Sequence, residues 1–421
     1  MHKLGTSKDL DALLNDIENR PVVMLGEASH GTHEYYTWRT AISKRLITEK
    51  GFSFIAVEGD WPDCNKINRY IKGIRDAGEN ITEVLHSFDR WPTWMWANWE
   101  VAALAEWLRE YNAPLAPDKK IGFYGLDVYS LWDSMYAMVS YLEKEDPHAA
   151  QSVKKAIHCF EPFKENEQMY ARFSLSEHSC RDQVLDLLKE IRLKAQFLDG
   201  DREAGLNTEQ NAVIAVNAEK YYRSMMSFDN ESWNVRDTHM MDTLHRLMKF
   251  HGNNAKGIVW EHNTHIGDAR ATDMRRSGMV NIGQLAREQY GINYVYLVGF
   301  GSYRGTVIAG DEWGAPMKEM KVPVARDGSV EEFLHSMGRK DGYLIFSDPG
   351  MSSDKKFSKK LPHRAIGVVY DPAREKFGNY VPSLMAERYD AFIFIDESHA
   401  LHPLHLQPHG KQMPETYPFG V

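Results

Sequence analysis

Four short apolar segments in this chain each end on an acidic residue, and this repeated pattern is the strongest constraint on its fold. The segments span residues 21–26, 52–57, 120–126 and 256–260, and they are followed by Glu27, Glu58, Asp127 and Glu261. Short runs rich in β-branched and aromatic residues, bounded by glycine and polar residues, predict buried strands. We therefore expect a sheet whose strands present polar groups where they end.

A helix is predicted between the first two of these strands. Thr32 is suited to cap its start, and Gly51 is suited to end it. A crossover of this length makes the two flanking strands parallel, so their carboxyl ends emerge at the same edge of the sheet. We expect Glu27 and Glu58 to be near neighbours at that edge, with His30 in the loop before the helix.

The remaining chain contains further strands and one long helical stretch. Residues 293–300, 342–346, 365–370 and 390–395 predict strands, whereas residues 130–250 show helical periodicity and no convincing strand. The expected fold class is α/β, with a three-layer core around a mostly parallel central sheet. We expect a single α/β hydrolase-like domain over residues 1–421, in which residues 130–250 form a helical insertion that covers the sheet edge.

Composition excludes several classes of protein. A chain of 421 residues that is 43% hydrophobic can bury a large core, and a net charge of −9 argues against a nucleic-acid partner. No run of roughly 18 apolar residues and no leader-like amino terminus are present, so neither a membrane partner nor export is expected. The three cysteines lack CxxC spacing, which predicts no disulfide framework and favours a reducing cytoplasm.

His30 has the features of a general base. Histidine beside carboxylates is a common proton acceptor near neutral pH, because negative charge stabilises the imidazolium ion and orients the ring. Arg39 follows nine residues later and is expected either to pair with Glu27 or Glu58 or to hold a developing oxyanion. A purely structural buried Arg–Glu pair is the alternative for Arg39.

His262 and His265 follow the fourth predicted strand, and at least one of them should face the same crevice. Together with Glu27, His30 and Glu58 they form an oxygen and nitrogen set compatible with zinc, manganese or iron. No HExxH signature occurs, so no cofactor is required, although a divalent metal is an alternative. Since no GxSxG motif is present, direct attack by water is expected rather than a serine nucleophile.

An aromatic segment at residues 88–99 contains four tryptophans. These rings are able to line an apolar pocket, but packing in the core is the expected role for most of them. The tryptophans are Trp91, Trp94, Trp96 and Trp99.

The chain resembles the erythromycin esterase family over most of its length. The resemblance rests on residues 25–34, Arg39, residues 57–60, the turn at 125–127, residues 236–240 and residues 260–265. It implies an α/β core with surrounding helices and a hydrolase. It also implies that His30 activates water with assistance from Glu27 and Glu58, and that His262 or His265 supplies the carboxyl-side histidine.

The family contains two groups of proteins to which this chain can be compared. Antibiotic-resistance esterases of the family open the lactone ring of macrolides, whereas relatives named for succinoglycan biosynthesis have no established substrate. The tryptophan-rich segment and Glu261 beside His262 make this chain more similar to the second group. We therefore expect a metal-independent hydrolase of a carboxylic ester or lactone that is a small molecule, with Arg39, His262 or His265 stabilising the oxyanion. A metal- or haem-binding protein that uses the same cluster is the alternative.

Overall fold

A nine-stranded β-sheet is the largest element of the structure. The computed structural model describes the chain apart from residues 76, 164, 175–178, 196–201, 227–229, 339, 350, 352–356, 358 and 405–421. In chain order the strands are β1 His2–Lys3, β2 Val22–Leu25, β3 Phe54–Val57, β4 Gly122–Gly125, β5 Gly257–Trp260, β6 Val295–Ala309, β7 Lys318–Val322, β8 Gly342–Ile345, β9 Leu361–Arg364, β10 Tyr380–Ser383 and β11 Ala391–Ser398.

The centre of this sheet is parallel. The strand order is β1-β8-β11-β6-β2-β5-β3-β4, with β7 paired to β6, while β9 and β10 form a separate two-stranded sheet. Strands β11, β6, β2, β5 and β3 run parallel to their neighbours in that series. All residues of β2, β3 and β5 are buried, as expected where helices cover both faces of a parallel sheet. The predicted α/β class with a mostly parallel central sheet is confirmed.

Helices account for most of the remaining chain. They are α1 Asp11–Ile17, α2 His33–Lys50, α3 Trp61–Ile71, α4 Ile81–His86, α5 Trp99–Asn112, α6 Leu131–Glu145, α7 Pro147–Phe160, α8 Glu167–Ser174, α9 Arg181–Ala195, α10 Arg202–Ser224, α11 Glu231–His251, α12 Asn263–Ile266, α13 Ile282–Tyr290, α14 Val330–Ser336, α15 Glu375–Gly378 and α16 Met385–Arg388. The predicted first crossover helix is α2, which starts after Thr32 and ends at Gly51 in the left-handed region, with φ of 70°. None of the helices in the described ranges combines the length and apolarity that a bilayer crossing requires.

Strand β5 lies between β2 and β3, and this corrects the expected neighbourhood of Glu27 and Glu58. Leu25 and Val57 both pair with Trp260, the last residue of β5, so the three strands end at the same level. Glu27 and Glu58 therefore lie on either side of the segment that follows β5, and they are not direct neighbours. A strand distant in the sequence has inserted into the βαβ unit, which local patterns do not reveal.

The other predicted strands have mixed outcomes. The segments at 342–346 and 390–395 correspond to β8 and β11, and the segment at 293–300 is the first part of the longer β6. The strand predicted at 365–370 is wrong, because that segment makes only isolated bridges, Ser29 with Ile366 and Gly310 with Val369. Strands β1, β7, β9 and β10 were not predicted, since they are short or half-exposed and lack a strong apolar pattern.

The chain divides into two compact units. The first comprises Met1–Glu58, Ile67–Phe123 and Asn253–Val421, and the second comprises Gly59–Lys66 and Tyr124–Gly252. Within residues 132–250 every element that the structure describes is a helix, as expected from the sequence. That residues 130–250 cover the sheet edge stays a prediction.

The second unit has its own apolar core and one disulfide bond. Trp132, Phe160 and Tyr170 pack within this core through edge and tilted ring contacts at centroid distances of 5.3 and 5.0 Å. A disulfide joins Cys159 to Cys180. The expectation that the cysteines form no disulfide is therefore wrong, because their spacing of 21 residues carries no motif and only the packing of the helices brings them together.

Gly31 occupies a position where the chain has no room for a side chain. A Cβ at this residue would lie 1.9 Å from the carbonyl oxygen of Ile308. Its own carbonyl accepts hydrogen bonds from the N–H groups of Ile308 and Leu401, at 3.0 and 2.9 Å. We predict that Gly31→Ala lowers the free energy of unfolding by about 1–3 kcal/mol or more, because the backbone of β6 must shift. Urea denaturation measures this change.

Gly378→Ala is the matched control. A Cβ at Gly378, in helix α15, would meet no atom within 4 Å. The same substitution there should change the unfolding free energy by no more than about 0.5 kcal/mol. Equal effects at the two glycines would contradict the steric argument.

Candidate active site

Glu27, His30 and Arg39 form a buried chain of charged contacts at the end of β2. Nδ1 of His30 lies 2.9 Å from Oε1 of Glu27, and Nη2 of Arg39 donates to Oε2 of the same carboxylate at 2.6 Å. All three side chains are almost fully buried, and Arg39 is 0% exposed. Of the alternatives for Arg39, the structure supports a buried pair with Glu27.

Aromatic rings enclose the Arg39 guanidinium. Its central carbon lies 4.4 Å from the ring centre of Tyr36 and 4.7 Å from that of Trp260. A planar guanidinium stacks well on aromatic faces and needs little hydration. Arg39 therefore supplies a stationary counter-charge to the buried Glu27 carboxylate.

The Glu27 contact determines which nitrogen of His30 carries the proton. An ionised carboxylate only accepts hydrogen bonds, so Nδ1 of His30 must be the donor. The lone pair of the neutral ring is then on Nε2. This assignment follows from the hydrogen-bond network, and it gives His30 the tautomer that a general base requires.

His262 lies beside His30, with the two ring centroids 5.0 Å apart. Nδ1 of His262 accepts the N–H of Thr264 at 3.3 Å and lies 2.8 Å from its hydroxyl. Burial is the main cause that lowers the pKa of His262 well below its ordinary value of 6.5, and the proximity of His30 acts in the same direction. The ring is therefore neutral with its proton on Nε2, and this buried atom makes no hydrogen bond to any residue that the structure describes.

Glu58 holds the segment after β5. Its Oε2 accepts the backbone N–H of His262 at 2.8 Å, and its Oε1 lies 3.5 Å from Nε2 of His265. The indole N–H of Trp96 donates to the Glu58 carbonyl at 2.9 Å. These contacts orient His262 and His265, a role that the sequence did not predict for Glu58. That Glu58 also orients His30 stays a prediction.

The structure thus brings all six sequence-predicted residues into one connected network. The contacts run from Arg39 through Glu27 and His30 to His262, and then through Glu58 to His265. The geometry also distinguishes the contacts of His262 from those of His265, a distinction that the sequence does not provide. The His262 ring lies tilted beside that of His30, and Nε2 of His265 faces Glu58.

Two supporting residues were not recognised from the sequence. Thr264 fixes the His262 tautomer, and the single proton of the Tyr36 hydroxyl is shared between the carbonyls of Met95, at 2.8 Å, and His30, at 3.2 Å. The available signal for Thr264 was its position two residues after a histidine at a helix start, where hydroxyls often bond locally. No local signal marked Tyr36.

The other sequence candidates have different positions. Asp127 accepts two hydrogen bonds from Arg236, at 3.0 and 2.7 Å, and both residues lie in the second unit. The prediction that most of the four tryptophans pack in the core is confirmed, because three are buried and only Trp99, at the start of α5, is exposed.

Among the described residues, one group offers three metal-ligand atoms within 4.8 Å of one another: His33, Glu100 and His402. It includes none of the six network residues. A metal bound by Glu27, His30, Glu58 and His262 or His265 stays the alternative that it was in the sequence analysis.

A mostly parallel sheet with acids and histidines gathered where its strands end defines an α/β protein with a polar site at the carboxyl edge. The chain belongs to the erythromycin esterase family, whose model matches residues 47–398. Glu58, His262 and His265 lie inside the matched range, while Glu27, His30 and Arg39 precede it.

Three relatives illustrate this membership. Erythromycin esterase type II of Escherichia coli is 24% identical over 80% of this chain and 83% of its own length. A crystal structure of a succinoglycan biosynthesis protein superposes with a TM-score of 0.75 and 22% identity over 95% of both chains. A mutant of the erythromycin esterase EreC in its open conformation gives a TM-score of 0.68 and 15% identity, over 94% of this chain and 95% of that one. The two structures show that the fold is shared.

Removing Arg39 should expose the dependence of the buried carboxylate on its partner. We predict that Arg39→Met lowers the unfolding free energy by about 3–5 kcal/mol, because Glu27 is left charged and buried. Adding Glu27→Gln should recover part of this loss. Arg45, on the same helix, pairs with exposed Glu49 and serves as the control, where Arg45→Met should cost about 1 kcal/mol or less. Similar losses at both arginines in urea denaturation would contradict this prediction.

The lowered pKa of His262 predicts a loss of stability in acid. In the unfolded chain this histidine binds a proton near pH 6.5, whereas in the folded chain it stays neutral to lower pH. The unfolded state therefore gains protons first, and stability falls below pH 6.5 by up to about 1.4 kcal/mol per pH unit for this group.

His262→Gln should make the decline of the unfolding free energy between pH 6.5 and 5 shallower than in the wild type. The control is His399→Gln, at an exposed histidine, which should leave the slope unchanged. The slope and not the absolute stability is the relevant measurement. A wild-type slope in His262→Gln would show that this ring does not resist protonation.

Proposed function

We propose that this protein hydrolyses a carboxylic ester or lactone by direct attack of a water molecule that His30 deprotonates. Membership of the erythromycin esterase family supports hydrolysis in general. The contact of His30 with Glu27, itself paired with Arg39, is the observation that carries the mechanism.

In the first step Nε2 of His30 takes a proton from water as the oxygen attacks the ester carbonyl. The positive charge that develops on the ring is stabilised by Glu27 across the Nδ1 contact. Arg39 keeps that carboxylate in place and acts as a positioning residue. Its guanidinium is paired with Glu27 and enclosed by the rings of Tyr36 and Trp260, which favours this positioning role.

His262 is the best-placed group to stabilise the oxyanion of the tetrahedral intermediate. Its neutral ring carries a proton on Nε2, and its centroid lies 5.0 Å from that of His30. A donor held ready in a dry site stabilises negative charge without reorganisation. Glu58 positions the His262 backbone, and His265 supports Glu58.

In the second step the His30 imidazolium returns its proton to the leaving alkoxide. The C–O bond breaks as the carbonyl re-forms, which yields a carboxylic acid and an alcohol, or a hydroxy acid from a lactone. The base is then neutral again, so no covalent enzyme intermediate is needed.

The substrate is proposed to be a small-molecule ester or lactone. Because the six side chains are buried, neighbouring segments must move to admit it. The Escherichia coli relative is named an erythromycin esterase, so a macrolide lactone is one substrate class to test. The succinoglycan-named relative suggests instead an ester on a carbohydrate.

The test is hydrolysis of a panel of aryl esters, simple lactones, acetylated sugars and macrolides by wild type and variants. We predict that His30→Asn lowers kcat by about 10²–10⁴-fold, because the base is lost. His262→Gln should lower kcat by about 10²–10³-fold with a smaller effect on KM, because the lost donor acts in the transition state.

His399→Asn is the control for an unrelated histidine, since it is exposed and pairs with Glu34. It should retain wild-type turnover. A folded His30→Asn protein with wild-type turnover on every hydrolysed substrate would refute the mechanism. The panel also decides between macrolides and smaller esters.

A further inference from the structure

A second cluster of ionisable groups lies outside the proposed catalytic network. It consists of His33, the first residue of α2, Glu100, the second residue of α5, and His402, which follows β11. Nδ1 of His33 lies 2.5 Å and Nδ1 of His402 lies 2.6 Å from the same oxygen, Oε1 of Glu100. The two rings meet edge to face at 5.1 Å. Three distant parts of the sequence thus converge on one carboxylate.

Backbone hydrogen bonds hold these three parts together independently of the side chains. The N–H of His33 donates to the His399 carbonyl at 2.9 Å, and that of Trp99 donates to the His402 carbonyl at 3.0 Å. Two short antiparallel bridges, Thr32 with Ala400 and Asn98 with Pro403, fix the same segment. The ligand-bearing residues are therefore positioned by the fold, as precise metal sites require.

One carboxylate oxygen of Glu100 is buried without a hydrogen-bond partner among the described residues. Its side chain is 5% exposed, yet within the described ranges Oε2 accepts no hydrogen bond. A buried carboxylate oxygen without a partner is costly, and a cation would satisfy it. The imidazoles of His33 and His402 are 34% and 61% exposed, so solvent provides a route to the site.

We propose that His33, Glu100 and His402 bind a divalent transition-metal ion of the zinc type. Two imidazole nitrogens and one carboxylate oxygen form a ligand set that suits zinc, and water completes the coordination. Ligands at 2.0–2.1 Å in a tetrahedral site are roughly 3.3 Å apart, so the side chains must spread by less than about 1 Å. Rotation of the two partly exposed imidazoles and of Glu100 provides this.

Such an ion would have a structural consequence. It would tie the segment after β11 to the start of α2, three residues beyond His30, and to the start of α5. The proposal is independent of the hydrolytic mechanism, because none of its ligands belongs to the six-residue network. In the absence of an ion, the two N–H groups simply donate to Glu100, and this is the competing outcome.

Zinc binding to the untagged full-length protein tests the proposal. Protein stripped with EDTA and desalted is titrated with ZnCl₂ by calorimetry, and bound metal is measured after gel filtration. We expect one saturable equivalent and a rise in Tm with zinc, because the ion binds only the folded state. Co²⁺ in place of zinc should give visible ligand-field bands.

Two variants locate the ion. His402→Asn, at an exposed position that should not disturb folding, is expected to weaken zinc binding by more than roughly 10-fold, since loss of outer-shell partners alone has effects of this size. Glu100→Gln should do the same where it folds. His399→Asn is the matched control, because His399 is a neighbouring exposed histidine whose Nδ1 contacts Glu34 instead. It should bind zinc as the wild type does.

The result that overturns the proposal is equally specific. Absence of saturable binding in the wild type would leave only the hydrogen-bonded cluster. Zinc binding that is unchanged in His402→Asn would place the ion elsewhere in the protein. Both measurements are made without substrate, so they do not depend on whether the protein is a hydrolase.

Discussion

The buried ion pair between Arg39 and Glu27 is the interaction on which the arrangement of the site depends. A carboxylate removed from water is stable as an ion only with a fixed counter-charge, and Arg39 supplies one between two aromatic rings. The charge on Glu27 then requires Nδ1 of His30 to be the proton donor. The tautomer of the proposed base is therefore a consequence of its pairing with a carboxylate that a fully buried arginine holds in place.

The strand order is the second constraint. Because β5 lies between β2 and β3, the segment after β5 contacts both flanking acids. The N–H of Asn263 donates to the Glu27 carbonyl at 2.8 Å, and the N–H of His262 donates to the Glu58 side chain at 2.8 Å. One short segment thereby joins both halves of the network, and it brings His262 beside His30. The two acids have different tasks because they lie on opposite sides of this segment.

Much of this site could be predicted from local patterns. Apolar runs that stop at Glu27 and Glu58, together with a helix between Thr32 and Gly51, are short-range signals that specify strand ends and a parallel crossover. Prediction from local patterns failed where contacts between residues far apart in the chain determine the structure. The segment at 365–370 is apolar but makes only bridges, Cys159 meets Cys180 across packed helices, and nothing in the sequence pointed to Glu100 as a partner of His33.

The sequence by itself determined the α/β class and the strand ends at which Glu27 and Glu58 lie, because period and strand termination are local properties of the chain. The tertiary structure alone decided which acid meets which histidine. It also decided that Arg39 is buried against Glu27, that His262 lies next to His30, and that His402 reaches Glu100. These pairings depend on strand order and on the packing of residues far apart in the chain, and no local pattern encodes them.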